Sequence, residues 1–413
     1  MIVVPDLEGD NVMRIALVTG HAAPSPAGPA AAAPADPREQ AVKVAALAGS
    51  LVRLGHQVTV YARKDSADRP RASSVAGVRF EYVPAGPEAP LGQDKLLPQL
   101  GAFSAGLAER WQQRPPDVVH AHFWTSGLAA LAATRGTSIP VVQSFHSLGA
   151  ADRRRQAVVC EDAAVRIRLE RLIGRNVRKV VAASSAEVAD LAGQGVPRTS
   201  IAVVPAGVDT SRFGPTGPVA RRGKRPRLLA AAPEGTGHGL DTVIRALAAV
   251  PDAELLIVGG PPRDELGADP VLHQLARLAQ RLQVVTSRLL FTGQVSQARM
   301  PALLRSADLF VHLASYEPTE IQPLEAMACG TPVIAGAGGA DEDAVVDGST
   351  GALIPRDDPA ALARRIRQLL GSPMLLEGCG IAAADRARSR YSWERVGQET
   401  LAVYDGSRQQ LAA

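Results

Sequence analysis

Short apolar runs alternate with segments of helical spacing along most of this chain. Residues 13–19 (MRIALVT) are apolar and typical of a buried parallel strand. Residues 20–37 are rich in Ala, Pro and Gly, which predicts a long loop. A helix is predicted over 40–54, where apolar residues recur at helical spacing: Val44, Leu47, Leu51 and Leu54. With the strand predicted at 57–62 (QVTVYA), these segments form a βαβ unit.

The same alternation continues to about residue 204. Further strands are predicted at 116–122, 140–145, 179–183 and 201–204. Helices are predicted at 126–134, 163–178 and 185–194. Regular alternation of strands and helices favours a parallel sheet that is covered by helices on both faces.

A second alternating series follows a basic stretch rich in Pro and Gly. Residues 214–226 (GPTGPVARRGKRP) are interpreted as a linker between domains. Strands are predicted at 228–232, 253–258, 289–292, 309–313 and 332–335, and helices at 240–249, 300–306, 323–329 and 392–404. The predicted fold class is α/β, with two Rossmann-like, doubly wound domains facing across a cleft. Their predicted bounds are 1–213 and 227–390.

Composition supports two globular domains and excludes several classes of protein. The 413 residues exceed what one core usually supports, and 46% hydrophobic with 21% charged residues is an ordinary globular balance. Only 4% are aromatic, so a nucleic-acid stacking platform is not expected. The net charge of +4 leaves anionic ligands or peripheral membrane contact open.

Cysteine usage and apolar run lengths bear on the compartment. Cys160, Cys329 and Cys379 are widely spaced and form neither a disulfide framework nor a zinc pattern, which fits the cytoplasm. The N-terminus lacks a basic segment before its apolar run, so no signal peptide is predicted. No run of 18 or more apolar residues predicts a transmembrane helix.

One segment of the second half carries a specific motif. Residues 316–330 read YEPTEIQPLEAMACG, with Glu317 and Glu325 separated by seven residues, and TPVIAGAGGADEDAVVDGSTGALI follows. This segment resembles the retaining glycosyltransferases of family 4, which have the glycosyltransferase-B fold. In that family the final helix crosses back to the N-terminal domain, so the resemblance implies that residues 391–413 join the first domain as a helix. The resemblance extends over nearly the whole chain, through RLGHQVTVYAR, DVVHAHFWTSGLAAL, the segment around His146, VVPAGVD and PDAELLIVGG.

The resemblance implies a site for a nucleotide diphosphate sugar, used as donor substrate, and no separate cofactor. Glu325 would hold the ribose, Glu317 would contact the donor sugar and Val295 would lie beside the base. Leu324, Gly237 and His238 would contribute to the same nucleotide site. His146 matches the position that faces the transferred sugar from the other domain, although a structural, hydrogen-bonded histidine is the alternative.

His120 and His122 raise a separate possibility, a metal site. They lie two residues apart after a predicted strand, but no third ligand is visible in the sequence. No metal is therefore predicted.

The chain departs from the family where the donor diphosphate is bound. Two glycines that precede the first helix in relatives are replaced by Arg38 and Glu39. An Arg and a Lys that clamp the diphosphate are replaced by Pro233 and His238. Three more positions differ: Thr319 and Glu320 replace Phe-Gly, and Asp152 replaces a Lys six residues after the histidine in many relatives.

Compensation for the lost cations has two candidate sources. The glycines of PEGTGHG, residues 233–239, predict an amide nest for an anion, with a plain flexible turn as the alternative. Arg38 or one of Arg153, Arg154 and Arg155 is the other source.

Two functions follow from these observations. The first is transfer of a hexosyl unit from a nucleotide diphosphate sugar to an unknown acceptor, with retention. The second is a catalytically silent relative, a pseudoenzyme, that acts as a protein partner, regulator or ligand sensor. Binding of nucleic acid is not expected, because the basic run at 221–227 is short and contains no aromatic residue.

Overall fold

The chain divides into two compact units. The computed structural model describes residues 12–20, 35–155, 161–232, 239–313 and 321–412. The first unit comprises Met1–Ala182, Asp190–Val204 and Gly397–Ala413, and the second comprises Ala183–Ala189 and Pro205–Val396. Each unit is built on a sheet of its own, with helices alternating between strands. The predicted α/β fold with two Rossmann-like domains is thus confirmed.

The sheet of the first unit is parallel apart from one edge strand. Its strands are β1 Arg14–Thr19, β2 Gln57–Arg63, β3 Ala72–Val75, β4 Val78–Val83, β5 Val118–His122, β6 Val141–Ser144, β7 Lys179–Ala182 and β8 Ile201–Val203. They lie in the order β3-β4-β2-β1-β5-β6-β7-β8. The chain order reverses between β1 and β5, and the carboxyl ends of these two strands form the switch point where doubly wound sheets bind ligands.

Helices separate the strands in this half of the chain. They are α1 Ala35–Arg53, α2 Gln93–Leu96, α3 Leu100–Gln113, α4 Trp124–Ala133, α5 Gly149–Arg155, α6 Glu161–Asn176 and α7 Ser185–Gly193. The prediction that the first helix starts at Gln40 is wrong, because α1 starts at Ala35. Pro37 is tolerated in that first turn, where backbone N–H groups have no helical partner. Arg38 and Glu39 therefore lie inside α1 rather than before it.

The hairpin of β3 and β4 was not predicted. β3 pairs antiparallel with β4 and has mostly exposed side chains, so the strand carries no apolar run for a sequence pattern to detect. The turn between the strands places Ala76 and Gly77 at positive φ angles of 49° and 82°. Two positive φ angles in a two-residue loop match the right-handed twist of a hairpin.

The second unit has the strand order of a Rossmann domain. Its strands are β9 Arg227–Ala232, β10 Glu254–Gly259, β11 Leu289–Phe291, β12 Leu309–His312, β13 Val333–Gly336 and β14 Gly351–Ile354. They run parallel in the order β11-β10-β9-β12-β13-β14. The switch point lies between β9 and β12.

Helices pack against both faces of this sheet. They are α8 Leu240–Ala248, α9 Pro270–Arg281, α10 Met300–Arg305, α11 Gln322–Ala328, α12 Ala340–Ala344, α13 Pro359–Leu370, α14 Pro373–Tyr391 and α15 Trp393–Ala412. One apolar cluster includes residues of α8, α9 and α13, and a second includes residues of α11 and α14. From Gly397 onward, α15 belongs to the first unit. No helix in the described part of the chain is long and apolar enough to cross a membrane.

Candidate functional site

Polar side chains gather at the carboxyl edge of the first sheet, next to its switch point. His120 and His122 lie on β5, and His146 lies two residues after β6. Phe123 and His146 have positive φ angles of 75° and 63°, which non-glycine residues rarely adopt. Such backbone outliers cluster at functional sites, because the surrounding structure must hold them in place.

Hydrogen bonds fix the three histidine rings. Nδ1 of His122 lies 2.9 Å from Nε2 of His146, and the two rings stack at 5.2 Å between centroids. The ring of His120 is held on both sides: Nδ1 lies 2.7 Å from Oη of Tyr404, and Nε2 lies 2.9 Å from Oγ of Ser144. His120 and His122 are buried, whereas His146 keeps part of its surface exposed. Of the three, His146 is therefore the ring that a substrate can reach.

The histidines are neutral at physiological pH. Desolvation by burial lowers the pKa of His122 to about 3. Burial, followed by the charges of His122 and His146, lowers the pKa of His120 well below its ordinary value. For His146, burial also lowers the pKa most, and His122 and Lys43 add to it. A neutral imidazole can donate or accept a hydrogen bond, but it supplies no fixed positive charge.

Several polar atoms near this edge have no hydrogen-bond partner within the described residues. They are His122 Nε2, Trp124 Nε1, Thr125 Oγ1 and Gln143 Oε1. The amide nitrogen of Gln143 donates to the carbonyl of Phe123 at 3.2 Å and to that of Ser144 at 2.7 Å, so its orientation is fixed. Buried polar groups are nearly always paired, and an unpaired one requires a water, a ligand or another explanation.

An ion-pair network holds the segment that follows His146. Arg166 on α6 donates from Nε to Glu170 at 2.7 Å and from Nη1 to Asp152 at 2.7 Å. Both carboxylate oxygens of Glu170 also accept from the backbone N–H of Gly149 at 3.0 Å. Burial raises the pKa of Glu170 to about 7 despite the opposing charge of Arg166. The network fixes the backbone from Ser147 to Asp152 next to the exposed part of His146.

In the second unit, the structure brings three of the predicted nucleotide-binding residues to one side of the sheet. Glu325 lies in the first turn of α11, the helix that follows β12, and it is only 4% exposed. Its neighbour Leu324 is buried in the cluster that Val295 also contacts. Because β12 flanks the switch point, this arrangement places Glu325 near the expected ligand side.

Other predicted residues lie outside the described part of the chain. They are Glu317, Gly237 and His238, together with Pro233, Thr319 and Glu320. The side chains of Arg38, Glu39, Arg154 and Arg155 are also outside it, whereas Arg153 is exposed on α5. The two undescribed segments, 233–238 and 314–320, begin one or two residues after β9 and β12, the strands that flank the switch point.

Sequence reasoning did not identify the partners of His120 or the network of Arg166. Arg166 and Glu170 are four residues apart on a helix, and this spacing was a usable signal for an ion pair. Tyr404 is 284 residues from His120, so no local pattern connects them. A buried pair of His312 Nδ1 and Asp341 Oδ2, 2.8 Å apart at the end of β12, was also missed. Across the described ranges, no group of three or more His, Cys, Asp or Glu residues could hold a metal ion.

Comparison with known proteins identifies the family. Residues 40–212 match the model of glycosyltransferase family 4, and residues 221–386 match that of glycosyl transferases group 1. The D-inositol 3-phosphate glycosyltransferase of Kineococcus radiotolerans is 30% identical, over 98% of this chain and 97% of that protein. A protein of the same name from Xylanimonas cellulosilytica is 32% identical over 88% and 90%.

Solved structures agree with this assignment. A sucrose-phosphate synthase from Thermosynechococcus elongatus superposes with a TM-score of 0.78 and 26% identity, over 97% of this chain and 99% of that one. HepE from Anabaena, solved with UDP and glucose, has the same fold, with a TM-score of 0.68 and 18% identity over 94% and 98% of the chains. The chain therefore belongs to glycosyltransferase family 4 and has the glycosyltransferase-B fold.

Proposed function

We propose that this protein transfers a hexosyl unit from a nucleotide diphosphate sugar to a hydroxyl group of an acceptor, with retention, in the cytoplasm. One observation supports the proposal: in a chain of this family, the two residues that the resemblance assigns to the site are held by ordered structure, His146 at the edge of the first sheet and Glu325 in the helix after β12 of the second. Because the three histidines are neutral, His146 acts as a hydrogen-bonding group and not as a positive charge.

The chemistry requires hydrogen bonds at the sugar and positive potential at the diphosphate. A bond forms between the acceptor oxygen and the anomeric carbon, while the bond from that carbon to the diphosphate oxygen breaks. The diphosphate leaves with the electron pair, and the acceptor proton passes to it. Fixed donors aimed at the leaving oxygens stabilise this developing charge.

His146 serves as a neutral hydrogen-bonding group in this reaction. Because its Nε2 is bound to His122, its Nδ1 remains the atom for a sugar hydroxyl. The tautomer of the pair decides whether Nδ1 donates or accepts. Glu325 binds the ribose of the nucleotide, since a carboxylate accepts hydrogen bonds from two hydroxyl groups.

The test combines binding, turnover and stereochemistry. UDP-, ADP- and GDP-linked hexoses are titrated by calorimetry, and release of nucleoside diphosphate is followed with a panel of hydroxyl acceptors. UDP-glucose is the first donor to try, because HepE, a protein of this fold, was solved with it. Proton NMR of the product then gives the anomeric configuration, which we expect to equal that of the donor.

Variants assign the roles. His146→Ala should lower kcat by about 100-fold, a typical size for loss of a group that acts in the transition state. Glu325→Gln should raise the Kd of the nucleotide instead. His273→Ala, at an exposed site on α9, and Glu377→Gln, at an exposed site on α14, are the matched controls. Nucleotide-sugar binding without turnover across the panel would contradict the enzymatic proposal and favour a silent, ligand-sensing protein.

A further inference from the structure

The guanidinium of Arg166 binds Ser147, the residue after His146, and is already occupied. Besides Glu170 and Asp152, it binds Ser147 twice, with Nη2 donating to the carbonyl at 2.9 Å and to Oγ at 2.8 Å. Four of its five N–H donors are therefore used. Its plane also lies 5.2 Å from the ring centroid of Phe123. Arg166 has little capacity left to bind an anionic substrate.

The charges around Arg166 disfavour an anion as well. Two acids, Asp152 and Glu170, face this one cation. A phosphate group placed here would meet the negative charge of Asp152, whose side chain is 29% exposed. Lys43 is a cation that acts on His146, and it is buried and not free of partners.

The remaining groups at this edge suit uncharged hydroxyl groups. His122, Trp124 and Thr125 each have a buried polar atom with no partner within the described residues, and all three side chains are neutral. Neutral donors and acceptors bind hydroxyl groups without the desolvation cost of a charge. The similar proteins of K. radiotolerans and X. cellulosilytica, in contrast, are named for a phosphorylated polyol.

We propose that the acceptor is an uncharged hydroxyl compound, and that Asp152 and Glu170 prevent binding of its phosphate monoester by keeping Arg166 in their own hydrogen bonds. This inference rests on the proposed glycosyl transfer, because it assigns the edge around His146 to the acceptor. It predicts that reversing the charge of Asp152 creates affinity for phosphate where the natural protein has none.

The experiment compares one polyol with and without its phosphate. The full-length protein is titrated with D-inositol 3-phosphate, inositol and inorganic phosphate in the presence of UDP, using calorimetry and phosphorus NMR. The variants are Asp152→Lys and the isosteric Asp152→Asn, and Glu109→Lys on the exposed face of α3 is the charge-matched control. Circular dichroism and thermal melts establish that each variant is folded.

We expect no saturable binding of either phosphate compound to the natural protein or to Glu109→Lys. Asp152→Lys should bind D-inositol 3-phosphate at least about tenfold more tightly than the natural protein does, which is equivalent to about 1.4 kcal/mol. Asp152→Asn should fall between the two, because it removes the negative charge of Asp152 without adding a cation. With any donor that is turned over, inositol should be a better acceptor than its phosphate.

Two results would overturn the inference. One is tight binding of D-inositol 3-phosphate to the natural protein that is lost in Arg166→Gln. The other is an Asp152→Lys variant that is folded but gains no phosphate affinity. Binding of UDP, measured in the same samples, tests the proposed transferase function separately, since its absence would contradict that function whatever the phosphate results are.

Discussion

At the scale of single residues, the buried histidines couple stability to acid. The pKa of His122 is about 3 in the folded protein, against an ordinary value of 6.5. Below pH 6.5 the unfolded chain gains a proton that the folded chain does not, so the free energy of unfolding falls as the pH falls. The slope is about 1.4 kcal/mol for each pH unit and each such histidine.

We expect His122→Asn to weaken this acid sensitivity. The free energy of unfolding, measured by urea denaturation at several pH values below 6.5, should fall less steeply in the variant. His273→Asn, at an exposed site, should leave the slope unchanged. Equal slopes for His122→Asn and the natural protein would show that His122 accepts a proton in the folded state.

Glu170 acts in the opposite direction. Its pKa is raised from 4.5 to about 7, so between these values the unfolded chain loses a proton that the folded chain keeps. The free energy of unfolding therefore falls as the pH rises through this window, by about 3 kcal/mol in total. Glu170→Gln should remove this component, whereas the exposed Glu109→Gln should not. An unchanged pH dependence in Glu170→Gln would contradict the raised pKa.

Gly127 leaves room for the amide of Gln143. A Cβ atom at Gly127 would lie 2.2 Å from Oε1 of Gln143 and 3.0 Å from Cγ2 of Ile173. Gly127→Ala should therefore destabilise the protein by about 1 to 3 kcal/mol, the usual cost of overpacking. Gly101 in α3 has no atom within 4 Å of such a Cβ, and Gly101→Ala should stabilise by about 0.5 to 1 kcal/mol. Chemical denaturation gives the free energy of unfolding of the two variants. Equal changes in both would contradict the close packing of Gly127 against Gln143.

The residues of the site were predictable to different degrees. His146 and Glu325 were singled out because their sequence contexts resemble a family motif. The hydrogen bonds between Tyr404 and His120 and from Arg166 to Ser147 could not be predicted, since they are tertiary contacts that no spacing in the sequence encodes. The neutrality of the histidines also depends on burial, which follows only from the packed structure.

At the scale of elements, most buried strands were predicted, but the buried β14 and the largely buried β4 were missed, as was the exposed β3. β1, β5 and β9 are buried along nearly their whole length, so their apolar runs stand out in the sequence. β3 has the burial pattern of a loop and is a strand only because β4 supplies its hydrogen bonds. Helix α1 begins at Ala35, five residues before the predicted start at Gln40.

The pair of Tyr404 and His120 joins α15 to β5. Tyr404→Phe removes the hydroxyl and leaves Nδ1 of a buried histidine unpaired, so we expect a loss of about 1 to 3 kcal/mol of stability. A double-mutant cycle with His120→Asn should give a coupling energy of about 0.5 to 3 kcal/mol, as for residues in direct contact. Additive effects would show that the hydrogen bond makes no net contribution.

At the scale of the whole molecule, the two units differ in how the chain builds them. Between Pro205 and Val396, one continuous segment supplies both apolar clusters of the second unit. The first unit takes its last segment, from Gly397 onward, from the other end of the sequence. Two folding units were predictable from the repeated alternation of strands and helices, whereas the return of the final helix to the first unit was implied only by the family resemblance.

Fragments test this difference. A fragment of residues 205–396 should unfold cooperatively, because it retains its own sheet and core. A fragment of residues 1–204 should lack dispersed NMR signals. It lacks the final helix, so His120 loses its hydrogen bond to Tyr404, and the surface that buries Tyr404 and Ser407 becomes exposed to water. Adding residues 397–413 as a separate peptide should restore order. Cooperative unfolding of fragment 1–204 alone would contradict this prediction.

The bond between Tyr404 and His120 also sets an order of events during synthesis. The ribosome makes β5 early, but Tyr404 leaves the exit tunnel only after the whole second unit has been translated. Domains generally fold as units while the nascent chain grows. The unit encoded first is thus completed last. Its sheet gains its final helix only after the second unit has been translated.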